Sequence, residues 1–210
     1  MKKILVIAPH PDDEVIGCGG TILKNISKGN EVYVLFMSYL GTKEREIEAE
    51  KVKNFMGIKE ISFLNIDWPI EFNEKNLKKI IKSLRNIKPD IVFCPHEDES
   101  DRDHRKTNEI VNEALWMGGI SIFEEEGSPL PTNPSLLLYE VHTPIRGANY
   151  CEDISEVIGK KINALRLYKS QIKSKRYDES VKSLNRFRGI MDANTEYAEV
   201  FIIRKWQNPI

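Results

Sequence analysis

A chain of 210 residues, 40% of them hydrophobic, is long enough to bury the core of one α/β domain. Lysine and arginine number 31 against 32 aspartates and glutamates, so the net charge of −1 gives no reason to expect nucleic acid or an anionic membrane as partner. No apolar run is long enough to span a bilayer, and the chain starts on a core strand rather than a signal peptide.

The cysteines Cys18, Cys94 and Cys151 are scattered, as in a reduced, cytoplasmic protein, and lack metal-finger spacing. No repeat, low-complexity stretch or linker divides residues 1–210, which read as a single domain. Homo-oligomerisation is left open.

In chain order, Ile4-Leu5-Val6-Ile7-Ala8 is a short apolar run rich in β-branched residues and reads as a buried parallel strand. His10 follows between Pro9 and Pro11, which hold it extended. Asp12 or Asp13 is a suitable N-cap for a helix from about Glu14 to Lys28, ended by Gly29-Asn30. Three carboxylates and an imidazole crowded into His10–Glu14 repel one another unless something positive lies among them. A helix N-terminus offsets one carboxylate; a divalent metal accounts for the acids and the histidine together. Gly17, Gly19 and Gly20 sit where glycine weakens a helix. They fit either close approach to a metal loop or substrate, or tight helix–strand packing. A dinucleotide fingerprint is excluded, because Ile22 stands where it needs glycine.

Glu31–Met37 is the second strand, with a loop over Ser38–Gly41 at its carboxyl end. Ser38 or Thr42 caps a helix over Lys43–Met56 with Ile47, Ala49, Val52 and Phe55 inward. Arg45 opposes the dipole of that helix's first turn, and reads either as a substrate contact or as an exposed partner of Glu48 or Glu50. Ile61–Leu64 is the third strand, and Asp67-Trp68 beyond it suits either sugar stacking or a structural loop. A helix starts at Asn73 or Glu74 and runs to Lys88, its stripe being Leu77, Ile80, Ile81, Leu84 and Ile87.

Asp90–Cys94 is the fourth strand, ended by Pro95. His96, Glu97, Asp98, Glu99, Asp101, Asp103 and His104 then crowd its carboxyl end, before a helix from about His104 to Trp116. Ligands of open α/β sheets bind at such strand ends. Two histidines, one aspartate and a water make a catalytic zinc shell, provided the first and fourth strands are neighbours. Residues 120–135 read as a variable loop or lid. Leu136–Val141 is a fifth strand carrying His142 to its end; Asp153–Tyr168 is a helix, Ser170–Asp178 a basic loop, Val181–Met191 a helix and Ala198–Arg204 a last strand. Trp206–Ile210 is a short tail. The pattern is a Rossmann-like three-layer α/β domain, with a mostly parallel sheet flanked by helices.

Pro9-His10-Pro11-Asp12-Asp13-Glu14 with Gly17-x-Gly19-Gly20, and Asp103-His104-Arg105 after a proline-ended strand, resemble the LmbE-like/PIG-L family of zinc-dependent N-acetylglucosaminyl deacetylases. Arg45-x-x-Glu48 before Met56-Gly57, Leu165-x-x-Tyr168-x-Ser170-Gln171, Arg188-Gly189 and Tyr197-Ala198-Glu199 extend the resemblance along nearly the whole chain. It implies one Zn2+ held by His10, Asp13 and His104, with other divalent ions as substitutes, and Asp12 as general base. It implies removal of an N-acetyl or similar acyl group from an amino sugar or its conjugate, with Arg45 and Asp103 toward the substrate. The family usually reads His-x-Asp-His at its second motif; here Asp101 replaces the first histidine, so the proton donor is open. An ordinary aspartate is ionised at neutral pH. His142, with an intrinsic pKa near 6.5, is therefore expected as donor or oxyanion partner, with Asp101 orienting it or binding substrate. A metal-assisted phosphoester hydrolase and a sugar-binding relic are the alternatives.

Overall fold

The computed structural model describes residues 1–38 and 42–205. Its elements are β1 (Lys3–Ala8), α1 (Asp13–Ser27), β2 (Glu31–Phe36), α2 (Lys43–Met56), β3 (Glu60–Phe63), α3 (Glu74–Ile87) and β4 (Ile91–Pro95), then α4 (Arg102–Gly118), β5 (Ser135–Tyr139), β6 (Tyr150–Asp153), α5 (Ile158–Leu165), α6 (Lys169–Ile172), α7 (Tyr177–Arg188) and β7 (Ala198–Lys205). Seven strands form one sheet in the order β3-β2-β1-β4-β5-β7-β6. The pairs from β3 through β5 are parallel, and β7 pairs antiparallel with both β5 and β6. From β1 the chain winds outward to β2 and β3, then returns across β1 to β4 and β5. The loops after β1 and β4 therefore leave neighbouring strands toward opposite faces, and a crevice opens between them.

Alternation along β1 explains the three layers. Ile4, Val6 and Ala8 pack into a core roofed by α1, α2, α5 and α7, whereas Leu5 and Ile7 pack into the core under α3 and α4. Each face of a central strand is thus buried against a helical layer.

The structure departs from the sequence reading in places. Ile47 and Phe55 are exposed, because α2 turns Glu48, Ala49, Val52 and Met56 inward instead. Glu48 can face inward because the Ser170 amide and hydroxyl donate to its carboxylate at 2.9 and 2.6 Å. The expected helix over Asp153–Tyr168 is shorter: Tyr150–Asp153 instead pairs with β7, and α5 begins at Ile158. The expected basic loop contains α6, and α7 starts at Tyr177 and ends at Arg188, followed by a π-turn over Gly189–Ala193. The loop expected over Ser38–Gly41 and the 206–210 tail fall largely outside the described residues.

The glycines of α1 serve packing. A Cβ on Gly17 would lie 2.2 Å from the Tyr139 ring, and one on Gly20 would lie 2.5 Å from Ile154. Between them Cys18 leaves helical geometry, at φ −142°. The groups around this kink find partners in a buried ion pair. Glu199 accepts from the Gly20 and Thr21 amides at 2.7 Å each, while Lys161 donates to the Ile16 carbonyl at 2.9 Å and to Glu199 at 2.7 Å. Lys161→Met would leave Glu199 as an uncompensated buried charge. Urea unfolding should show a loss of about 3–5 kcal/mol; a loss under about 1 kcal/mol would show that the kink does not depend on the pair.

Candidate metal centre

At the end of β1 the chain makes a tight turn. The His10 amide donates to Asp13 Oδ2 at 2.9 Å, and the Asp13 amide to the His10 carbonyl at 3.3 Å. Asp12 occupies the N-cap position of α1 at φ 120°, a conformation that L-residues rarely adopt. Its carbonyl accepts from the Val15 and Ile16 amides, but its side chain makes no capping bond. The Asp12 amide donates to Glu14 Oε2 at 3.0 Å, and the Tyr168 hydroxyl donates to Glu14 Oε1 at 2.6 Å. Glu14 and Tyr168 thereby hold the strained residue, a role the sequence reading missed.

At the end of β4, Asp101 is the N-cap of α4, its Oδ1 accepting from the Asp103 and His104 amides at 2.7 and 3.4 Å. The cap starts the helix at Arg102, two residues earlier than expected, and puts His104 in the first turn.

The two loops meet at Asp13. Its Oδ2 lies 3.5 Å from His10 Nδ1 and 3.3 Å from His104 Nε2. A tetrahedral shell with bonds of about 2.1 Å has ligand atoms roughly 3.4 Å apart. One ligand atom from each of His10, Asp13 and His104 lies within 4.8 Å of the others. All three residues are at most 9% exposed, yet among the described residues neither ring nitrogen of His104 has a hydrogen-bond partner. Buried polar atoms are rarely left so, and this donor set suits a divalent metal. A second triple, Asp101, His104 and His142, also lies within 4.8 Å. It shares His104, whose ring stacks on that of His142 at 5.0 Å and 21°.

Electrostatics mark the same spot. Burial opposes charging His10, but Asp103 and Asp13 outweigh it and push its pKa up to about 9. Burial likewise opposes ionising Asp13, yet His104 and His10 hold its carboxyl well below the usual range. Asp12 is pushed well above that range, by burial first and then by the Asp13 charge, with Arg45 opposing. Burial raises Glu14 to about 7.

The remaining expected residues surround this cluster. Asp103, expected toward the substrate, contacts the protein through both oxygens: Oδ2 lies 3.3 Å from His10 Nε2, and Oδ1 accepts from the Ile70 amide at 3.0 Å. Carboxylates placed this way commonly orient a metal-binding histidine. Arg45 is half-buried and donates to Gln171 Oε1, so it pairs with neither Glu48 nor Glu50. Gln171 and Ser170 thus tie α6 to both Arg45 and Glu48 of α2. His142 is exposed and, with Asp101, Tyr177, Ser180, Lys175 and Arg176, lines a cavity of about 620 Å³. Trp68 is 70% exposed and does not line that cavity.

Residues 5–115 match the PIG-L family, described as GlcNAc-PI de-N-acetylase. The diacetylchitobiose deacetylase of Thermococcus kodakarensis is 30% identical over 192 residues, 81% of this chain and 70% of that one. The structure of N,N'-diacetylchitobiose deacetylase from Pyrococcus horikoshii is 32% identical, with a TM-score of 0.85 over 96% of this chain and 83% of that one. The conserved protein TT1542 from Thermus thermophilus is 25% identical, with a TM-score of 0.88 over 100% and 98%. The chain belongs to the PIG-L (LmbE-like) family of metal-dependent deacetylases, which are amide hydrolases. Among the described residues, no helix is long and apolar enough to cross a membrane.

The raised pKa of His10 gives a pH signature. Without metal, its proton stabilises the fold fully below about 6.5, the unfolded value, and that stabilisation is lost as pH rises through about 9. The metal-free protein should therefore melt at progressively lower temperature between those limits, while metal loading, which displaces the proton, flattens the trend. A metal-free melting temperature independent of pH across that window would contradict the geometry.

Proposed function

We propose that this chain is a zinc-dependent N-deacetylase that hydrolyses the acetamide, or a similar N-acyl group, of an amino sugar or its conjugate. The observation that carries the reading is the His10–Asp13–His104 cluster with Asp12 beside it in one strained turn. The two diacetylchitobiose deacetylases support the substrate class.

Zinc held by His10, Asp13 and His104 would supply a Lewis acid and lower the pKa of water toward about 7. Asp12 takes the proton of the attacking water. The Asp12 carboxyl must be ionised to do so; burial and the Asp13 charge oppose that form, while the Arg45 charge favours it and a bound divalent cation would add to it. Gln171 Oε1 is a neutral acceptor, so it orients Arg45 and leaves its charge to a substrate oxygen. Asp103 fixes the His10 ring. Departure of the amine needs a proton, for which His142 at the cavity wall is the donor. Asp101 is a poorer donor, since one of its oxygens serves the α4 cap. It binds substrate or orients His142 from the same cavity.

Asp12→Asn should keep zinc and fold while lowering kcat by roughly 10²–10⁴-fold; near-normal turnover at saturating substrate would remove Asp12 from proton transfer. His142→Ala should lower kcat and flatten the basic limb of the pH–rate profile, while Asp101→Asn keeps that limb. The reverse pattern would assign the acid to Asp101, and a limb kept in both variants would leave Asp12 serving both steps. Acetate release by the zinc-loaded protein from N,N'-diacetylchitobiose and other defined N-acetyl amino sugars tests the function. Zinc-loaded protein that releases none from the whole series would overturn it.

A further inference from the structure

Glu99 lies in the loop between β4 and α4, and from sequence it is only one acid among several. In the fold it is 1% exposed and has its own set of partners. Three successive amides donate to its carboxylate: Val141 at 2.6 Å, His142 at 3.1 Å to each oxygen, and Thr143 at 3.1 Å. Backbone arranged in this way makes a concave site for an anion. His96 closes it, with Nε2 3.4 Å from Glu99 Oε1 and 2.8 Å from the Thr143 carbonyl. Burial alone would raise the Glu99 carboxyl, but the His96 ring, the Val141 amide and the His104 charge outweigh it and hold it below the usual range.

The other oxygen looks toward the metal centre. Glu99 Oε2 lies 3.9 Å from His104 Nδ1, an electrostatic contact longer than a hydrogen bond, on a ring whose Nε2 is 3.3 Å from Asp13. His104 is thus flanked by two carboxylates, one at each nitrogen. His10 repeats the pattern, with Nδ1 toward Asp13 and Nε2 toward Asp103.

We infer that Glu99 is a positioning residue of the metal centre: its carboxylate, held by the amides of Val141, His142 and Thr143, faces Nδ1 of His104 and favours the tautomer that leaves Nε2 for the metal. The inference rests on His104 being a metal ligand. A ligating imidazole whose second N–H faces a carboxylate is more basic and better oriented, and losing such a partner typically weakens metal binding 10–100-fold. Glutamine cannot replace the carboxylate, because its NH₂ would face donors where Glu99 accepts with both oxygens. The same contacts tether His142 to the loop that leads into α4 and His104.

The test is zinc affinity of the full chain, measured by competition with a chromogenic chelator after metal removal, beside the melting temperature of the metal-free protein. Glu99→Gln should bind zinc about 10–100-fold more weakly than wild type. Val111→Ala, a fully buried position on the same helix as His104, is the control for fold loss. It should lower the melting temperature but keep zinc affinity within about threefold of wild type. Glu99→Asp keeps the charge one methylene further back and serves if the glutamine variant does not fold; it too should bind zinc more weakly. Wild-type zinc affinity in a folded Glu99 variant, or equal weakening in Val111→Ala, would overturn the inference alone. A wild-type protein that binds no zinc would overturn the metal centre and this role with it.

Discussion

The structure turns on one carboxylate shared by two histidines. Asp13 is almost wholly buried, and its Oδ2 sits between His10 Nδ1 and His104 Nε2, at 3.5 and 3.3 Å. An isolated buried carboxylate is costly, and so are imidazole nitrogens without partners. Brought together around one point, they form a coherent set of ligand atoms. The surrounding acids fit this account. Asp103 and Glu99 each take the far side of one histidine, and Asp12 lies beside the cluster with its carboxyl pushed above the usual range by burial and the Asp13 charge.

Topology makes that convergence possible. β1 and β4 are adjacent and parallel, yet their following helices lie on opposite faces of the sheet. The turn after β1 and the loop after β4 must therefore face each other across the crevice. The rest of the molecule sets their angle. Gly17 and Gly20 let α1 lie against Tyr139 and Ile154, and Lys161 with Glu199 satisfies the backbone at its kink. Tyr168, Ser170 and Gln171 then reach from one short stretch to Glu14, Glu48 and Arg45. Two motifs far apart in the chain thus act as one bracket between α2 and the metal turn.

Much of this was legible in the sequence. β1, β2 and β4 show as apolar runs, because a strand buried on both faces needs nothing else. The clusters around His10 and His104 stood out because acids and histidines crowded at strand ends demand a counter-charge, while the choice of His10, Asp13 and His104 within them came from the resemblance. Other features depend on tertiary partners and left no local signal. Glu48 faces the core only because Ser170 meets it, and that displaced Ile47 and Phe55 to the surface. Tyr150–Asp153 is a strand only because β7 lies beside it. Glu99 and Glu14 look like solvated acids until their buried partners are seen. That Asp101 Oδ1 caps α4 and that Asp103 reaches the His10 ring also left no local signal.

The most direct test of the shared-carboxylate account is crystallography of the protein grown with zinc, with anomalous data collected on both sides of the zinc edge. The account predicts one strong internal peak, bonded at about 2.0–2.2 Å to His10 Nδ1, an Asp13 carboxylate oxygen and His104 Nε2. No peak among these atoms, or a peak held by Asp101 and His142 instead, would contradict it.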